Sequence, residues 1–294
     1  MSITRRDFLL FAATGAGLCM ARGVSPAFAV TGGPGQQGDD MMKQSTAAVV
    51  HFSPTGSTAA IAGRLGAALA DRVREIDLTG QTLESYSFGP EPVVVAVPVF
   101  SGRVPARAVE ALRQCSGGGA RCVSVVVCGN RAIDDALLEL NDVLAEQGFA
   151  VAASAAFVAR HSMVEEVAAG RPDDKDWEAL DAFAAAVLPV LASARTPEPP
   201  AVPGERPYKT PPALPVTPLT SEDCIECGEC AKRCPVSAIP PDSPRETVQG
   251  QCIVCMRCVR ICPTGARGLP AQLREAVLQR LGPLPRLEPK SYIS

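Results

Sequence analysis

One cysteine pattern, present twice, constrains this chain more than any other feature. Cys224, Cys227, Cys230 and Cys234 are spaced C-x2-C-x2-C-x3-C with Pro235 behind them; Cys252, Cys255, Cys258 and Cys262 repeat the spacing ahead of Pro263. The tails match as well, Pro235-Val236-Ser237-Ala238-Ile239 against Pro263-Thr264-Gly265-Ala266, so the repeat extends past the thiols. The chain has 12 cysteines in 294 residues, and these eight all fall between positions 224 and 262. That clustering decides more than the total. Zinc sites use two paired knuckles, not three consecutive x2 spacings followed by proline. Cysteines this close in sequence would be strained in mutual disulfides. The domain around them has about 45 residues, too few to hold together by apolar burial alone. Metal-free protein is therefore expected to be largely unfolded there.

Upstream, nine prolines lie between positions 196 and 219. Such a segment cannot form a helix or join a sheet, and it runs extended and stiff, as a spacer or as a strap along a domain surface. The boundaries drawn on it are a domain at 43–194, a linker at 195–220, the cysteine domain at 221–268 and a C-terminal extension at 269–294. Within 43–194, strand-like runs at 47–52, 73–78, 93–99, 122–128 and 149–158 alternate with helical patterns at about 58–70, 104–114, 132–147 and 174–193. Several runs are apolar on consecutive residues, the mark of parallel strands buried on both faces. Five strands with crossover helices predict an α/β, doubly wound parallel sheet that takes ligands at the carboxyl ends of its strands.

The loop after the first strand reads Ser53-Pro54-Thr55-Gly56-Ser57-Thr58 and opens a helix. Gly56 permits close backbone approach, the hydroxyls donate, and the helix N-terminus offers free N–H groups, so the loop reads as an anion site. It has no lysine, which fits a single terminal phosphate better than a triphosphate. The plainer alternative is a capped turn. Three more segments reach the same edge: Pro98-Val99-Phe100-Ser101-Gly102-Arg103, Cys128-Gly129-Asn130-Arg131 and Phe157-Val158-Ala159-Arg160-His161-Ser162. Phe100 supplies a flat apolar face for stacking, or a core residue at a strand end. His161 is placed either to meet a ligand or to be a satisfied loop residue, and His51 is expected to pack beneath the first loop. Cys115 and Cys122 lack metal spacing.

Thr4-Arg5-Arg6-Asp7-Phe8-Leu9-Leu10 opens an apolar stretch, and Ala27-Phe28-Ala29 offers a cleavage site, so residues 1–29 have the layout of a signal peptide. Paired arginines before x-Phe-Leu resemble the twin-arginine export signal, which carries folded proteins. This implies a periplasmic or otherwise exported protein; translation from Met42 would leave it cytoplasmic. No basic run lies outside the N-terminus and the net charge is −3, which argues against nucleic acid as a partner. No stable membrane span is expected in the mature chain.

The cysteine run is that of bacterial ferredoxins. On that resemblance, two [4Fe–4S] clusters are expected, one on Cys224, Cys227, Cys230 and Cys262 and the other on Cys252, Cys255, Cys258 and Cys234. The 53–58 segment resembles the flavodoxin phosphate loop, and the five-strand rhythm resembles the flavodoxin fold. That implies FMN, with its phosphate at Ser53, Thr55, Gly56, Ser57 and Thr58 and its ring near Phe100, Ser101, Gly102, Cys128, Gly129, Asn130 and His161. Cys128 departs from the aromatic often found in the second flanking loop. Over 43–268 the chain resembles a flavodoxin–ferredoxin fusion. The resemblance implies an electron carrier working with a redox partner protein. The alternatives are an FMN-dependent reductase of a small substrate such as a quinone, and a flavin-free docking domain fused to a ferredoxin.

Overall fold

The computed structural model describes residues 43–211 and 216–293. The signal-peptide expectation lies outside the described residues. Five parallel strands, β1 (Gln44–His51), β2 (Ala70–Asp77), β3 (Val93–Pro98), β4 (Arg121–Cys128) and β5 (Ala150–Val158), alternate with helices α1 (Ser57–Leu69), α2 (Ala106–Leu112), α3 (Ala136–Glu146) and α4 (Asp174–Ala192). Their spatial order is 5-4-3-1-2, the flavodoxin-like doubly wound order. Successive side chains of a strand leave on opposite faces. Val50, Val93, Val95, Val97 and Val126 therefore pack under α2 and α3, whereas Val49, Val94, Val123 and Val125 pack under α1 and α4. Both faces are covered, which is why these strands read as unbroken apolar runs.

The proline-rich segment is a strap. Arg206 pairs with Asp142 on α3 through two hydrogen bonds of 2.7 and 2.5 Å. Just before α3, the Asp135 carboxylate accepts from the Glu205 and Lys209 N–H groups at 3.0 and 2.8 Å. Arg103 stacks over Tyr208 at 4.7 Å and donates to the Lys209 carbonyl, while its fork grips Glu139 with two bonds of 2.7 Å.

Beyond the strap come the cysteine segment and the C-terminal extension. The cysteine segment opens on β6 (Leu219–Thr220), paired antiparallel with β7 (Arg267–Gly268), and has two one-turn helices, α5 (Glu229–Lys232) and α6 (Arg257–Arg260). Helix α7 (Ala271–Leu281) then packs Val277, Leu278 and Leu281 on Met163, Val164 and Val167, just past β5. The chain closes with β8 (Lys290–Ile293), antiparallel to β5. The sheet thus has six strands, one more than the periodicity predicts, and the extension is part of the α/β domain. Among the described residues no helix is long and apolar enough to cross a membrane.

The extension is clasped from beneath. Arg171 is buried against Asp176, with a 2.7 Å bond from Nε and a second contact from Nη2, and its Nη1 donates to the Leu287 carbonyl at 2.6 Å. Asp173 and Asp176 cap α4 reciprocally, and Arg286 returns to Asp173 at 2.6 and 3.0 Å. With only 1% of the Asp176 side chain exposed, removing Arg171 leaves that buried charge only the longer 3.5 Å contact to Arg286. Arg171→Met is expected to cost about 3–5 kcal/mol and to loosen β8. A lower denaturation midpoint and faster exchange of the β8 amides would be measured; an unchanged midpoint would refute the clasp.

Candidate functional site

The cysteine segment wraps the same way twice. Left-handed backbone occurs at Glu226 and Gly228, beside Cys227, and again at Val254 and Met256, beside Cys255. It recurs three residues past each last thiol, at Ser237 and Gly265. Such turns bend the chain around a centre and aim successive thiols inward. Cys224, Cys227, Cys230 and Cys262 line one hollow of about 330 Å³. Cys234, Cys252, Cys255 and Cys258 line a second of about 340 Å³. The last thiol of each run thus stands with the first three of the other. Among the described residues no three His, Cys, Asp or Glu side chains converge on a point that a single ion would occupy; the sulfurs surround volumes instead.

Backbone N–H groups point at the sulfurs, from Ala238 to Cys234 at 3.2 Å and from Val254 to Cys252 at 3.4 Å. Burial pushes the Cys255 thiol up to about 12 and that of Cys258 to about 11. Burial also acts to raise Cys262, but the Thr264 hydroxyl and the N–H groups of Thr264, Arg267 and Ala266 outweigh it and hold that thiol below its ordinary value. Soft thiolate donors at this spacing fit iron–sulfur clusters.

The module touches the α/β domain. Gln81, in the loop leaving β2, donates to the Ala231 carbonyl at 2.9 Å. Ile253, between two thiols of the second hollow, packs against the apolar cluster under α2 and α3, as Val99 and Ile133 do.

At that carboxyl edge, the 53–58 loop is formed from below. The Ser53 N–H donates to Thr79 Oγ1 at 2.7 Å, and the Thr79 N–H to Asp77 at 2.8 Å. Gly56 takes φ +93° with open space where a side chain would be. Ser53 Oγ accepts from the Ala59 N–H at 2.9 Å and keeps its own proton to donate. The N–H groups of Ser57 and Thr58 find no acceptor among the described residues, so the loop presents donors at a helix N-terminus. Thr55 is half-buried and Thr58 buried. His51 sits beneath, 3% exposed, with Nε2 on Glu75 at 2.7 Å.

The remaining candidates divide. Phe100 and Arg103 exchange bonds of 2.9 and 3.1 Å around a two-residue turn with Ser101 at φ 52° and Gly102 at φ 83°. Phe100 is half-buried and belongs to no apolar cluster. Cys128 is buried, and burial pushes its thiol up to about 11; it lies under its loop. Asn130 belongs to the C-terminal clasp, donating to the Pro285 carbonyl at 3.1 Å and accepting from the Leu287 N–H at 2.8 Å. Gly129 lies against His161, whose Cδ2 would be 2.5 Å from any Cβ there. Cys115 and Cys122 are unbridged core residues. Sequence reasoning missed the strap contacts and the Asn130 clasp; neither has a local signature.

His161 Nδ1 faces the N–H groups of Met163 and Val164 at 3.3 and 3.4 Å, so it serves as an acceptor. Burial pushes the imidazole from 6.5 down to about 4. Between those values the unfolded chain binds the extra proton, so stability is lost as pH falls from about 6.5 to about 4. His161→Asn, which keeps an acceptor but no titrating group, is expected to flatten this part of the stability–pH curve. An unchanged slope in denaturant titrations would contradict it.

Residues 223–267 match the family described as 4Fe-4S dicluster domain. Among solved structures the chain is similar to rubredoxin oxygen:oxidoreductase from the anaerobe Desulfovibrio gigas, at 15% identity and TM-score 0.37 over 51% of this chain and 37% of that one. It is similar to an apo NADH:FMN oxidoreductase at 16% identity and TM-score 0.40, over 52% and 92% of the two chains. A flavodoxin from Streptococcus pneumoniae TIGR4 aligns at 21% identity and TM-score 0.34, over 48% and 96%. No curated protein matches the chain. By strand order at one end and by the dicluster match at the other, the chain joins a flavodoxin-like α/β domain to a ferredoxin-type domain for two [4Fe–4S] clusters.

Proposed function

We propose that this chain carries electrons between two [4Fe–4S] clusters and an FMN held at the carboxyl edge of the sheet. When bound, the clusters exchange single electrons and the flavin one or two, which couples one-electron to two-electron chemistry. Cys224, Cys227, Cys230 and Cys262 hold one cluster; Cys234, Cys252, Cys255 and Cys258 hold the other. The N–H groups of Ser57 and Thr58, with the hydroxyls of Ser53 and Thr55, receive the phosphate, and Gly56 lets it approach. Phe100 offers its ring face on one side, with Ser101 and Gly102 in the turn beside it, and Gly129 and His161 stand on the other. The observation that carries this reading is the docking of the cysteine module, through Gln81 and Ala231, at the edge that bears the anion loop.

A second reading has support in Asn130, which is spent on the C-terminal segment where a ring contact was expected. On that reading the α/β domain is a flavin-free docking platform. Counting cofactors in anaerobically purified protein separates the two. The relay predicts about eight irons and eight sulfides per chain with one FMN. Ser57→Asp should lose the FMN, because a carboxylate fills the phosphate's place, while the helix start gains about 0.3–1 kcal/mol. Full iron without flavin would leave the docking platform, and protein without iron or sulfide would end both readings.

We further propose that the protein is exported folded, with its clusters already loaded, on the strength of Arg5 and Arg6 ahead of Phe8-Leu9-Leu10. The double substitution Arg5→Lys, Arg6→Lys is expected to retain the full-length chain in the cytoplasm, read by fractionation and immunoblot. An undisturbed distribution would refute export by this route.

A further inference from the structure

Arg267 is a buried cation without an anion. It sits in β7 at 3% exposure. Its Nη1 donates to Thr247 Oγ1 at 2.8 Å, and its Nη2 to the carbonyls of Glu246, at 3.1 Å, and Pro244. Its Nε has no acceptor. All three acceptors are neutral, and none of the salt bridges among the described residues involves it. A guanidinium taken out of water in this way needs opposite charge nearby.

The missing charge belongs to the hollows. Arg267 lines the first, together with Cys224, Cys227, Cys230 and Cys262. It also reaches the second through Thr247, which lines that hollow and accepts from the Arg267 Nη1 at 2.8 Å. One cation therefore acts on both hollows. A [4Fe–4S] cluster on four thiolates is anionic, and taking up an electron makes it more so; net charge and burial are levers on its potential. We propose that Arg267 is the shared counter-ion of the two clusters, stabilising the reduced form of each and raising both reduction potentials. The proposal rests on the cluster reading above.

The test uses the full chain, purified without oxygen, as wild type, Arg267→Gln and Arg267→Lys. Iron and sulfide are counted first; each protein is then titrated with dithionite, which is oxidised as each cluster gains one electron, and both clusters are followed by EPR. Arg267→Gln is expected to load as wild type does and to shift both midpoints to lower potential, while Arg267→Lys stays near wild type. Loaded Arg267→Gln with unmoved midpoints, or with one moved alone, would overturn the shared role and leave Arg267 a brace for 244–247. If Arg267→Gln does not load, Arg267→Lys decides. A lysine cannot span the three acceptors, so a brace predicts that it fails too, and a counter-ion predicts loading with near-normal midpoints. Iron-free wild type would sink the cluster reading itself, and the proposal with it.

Discussion

Thiolate–iron bonding is the constraint on which the C-terminal part of the molecule depends, because the segment has little else to fold around. Its own apolar cluster comprises Ala231, Cys234, Ala238 and Ile239. Against that stand non-glycine residues in left-handed backbone, Glu226, Ser237, Val254 and Met256, each costing roughly 1–3 kcal/mol. The same turns aim the thiols at the hollows, so the strain and the coordination geometry are one feature. Burial that lifts Cys255 and Cys258 keeps their protons on until a metal's charge displaces them. Folding, deprotonation and loading thus reduce to a single coupled event, and Arg267 finds its counter-charge only once that event is complete.

How much of this the sequence showed depends on whether a feature is local. The parallel strands other than β2 were legible because they are largely buried on both faces; Val93 to Val97 alternate between two apolar clusters and so read as one run. The apolar pattern starts the edge strand β2 three residues late, since the middle of the strand is exposed and carries Arg72, Arg74 and Glu75. The anion loop was legible from Ser53 to Thr58 because its chemistry is contiguous. The cross-pairing is what the spacing's likeness to ferredoxins implies; Cys262 lines the hollow of Cys224, Cys227 and Cys230, and Cys234 that of Cys252, Cys255 and Cys258.

Other features were not legible, for physical reasons. Strand β8 is the short run Lys290-Ser291-Tyr292-Ile293 behind a segment with prolines, and only the free edge of β5 makes it a strand. Asn130 resembles a loop residue awaiting a ligand until Pro285 and Leu287 arrive from the far end of the chain. Nine prolines announce an extended segment, but nothing in them says that Arg206 will meet Asp142 or that Lys209 will meet Asp134 and Asp135. Contacts between charged groups so distant in sequence have no periodicity to betray them.

Strap and extension together explain how the cysteine module is held. A flexible linker would let a tethered domain sample a wide volume, and its effective concentration at any one surface would fall as the linker lengthened. Here the segment leading in is pinned to α3 and the loop before it, and the segment leading out is packed on 163–167, clasped by Arg171 and zipped to β5. Both ends of the module are therefore anchored on the α/β domain, and Gln81 and Ile253 need supply only local contacts between them. For the relay proposed above this matters more than affinity does, because transfer depends on a fixed separation between carriers. Two anchored ends set that separation through folding itself, without requiring a large apolar interface that a 4Fe–4S module of this size has no surface to provide.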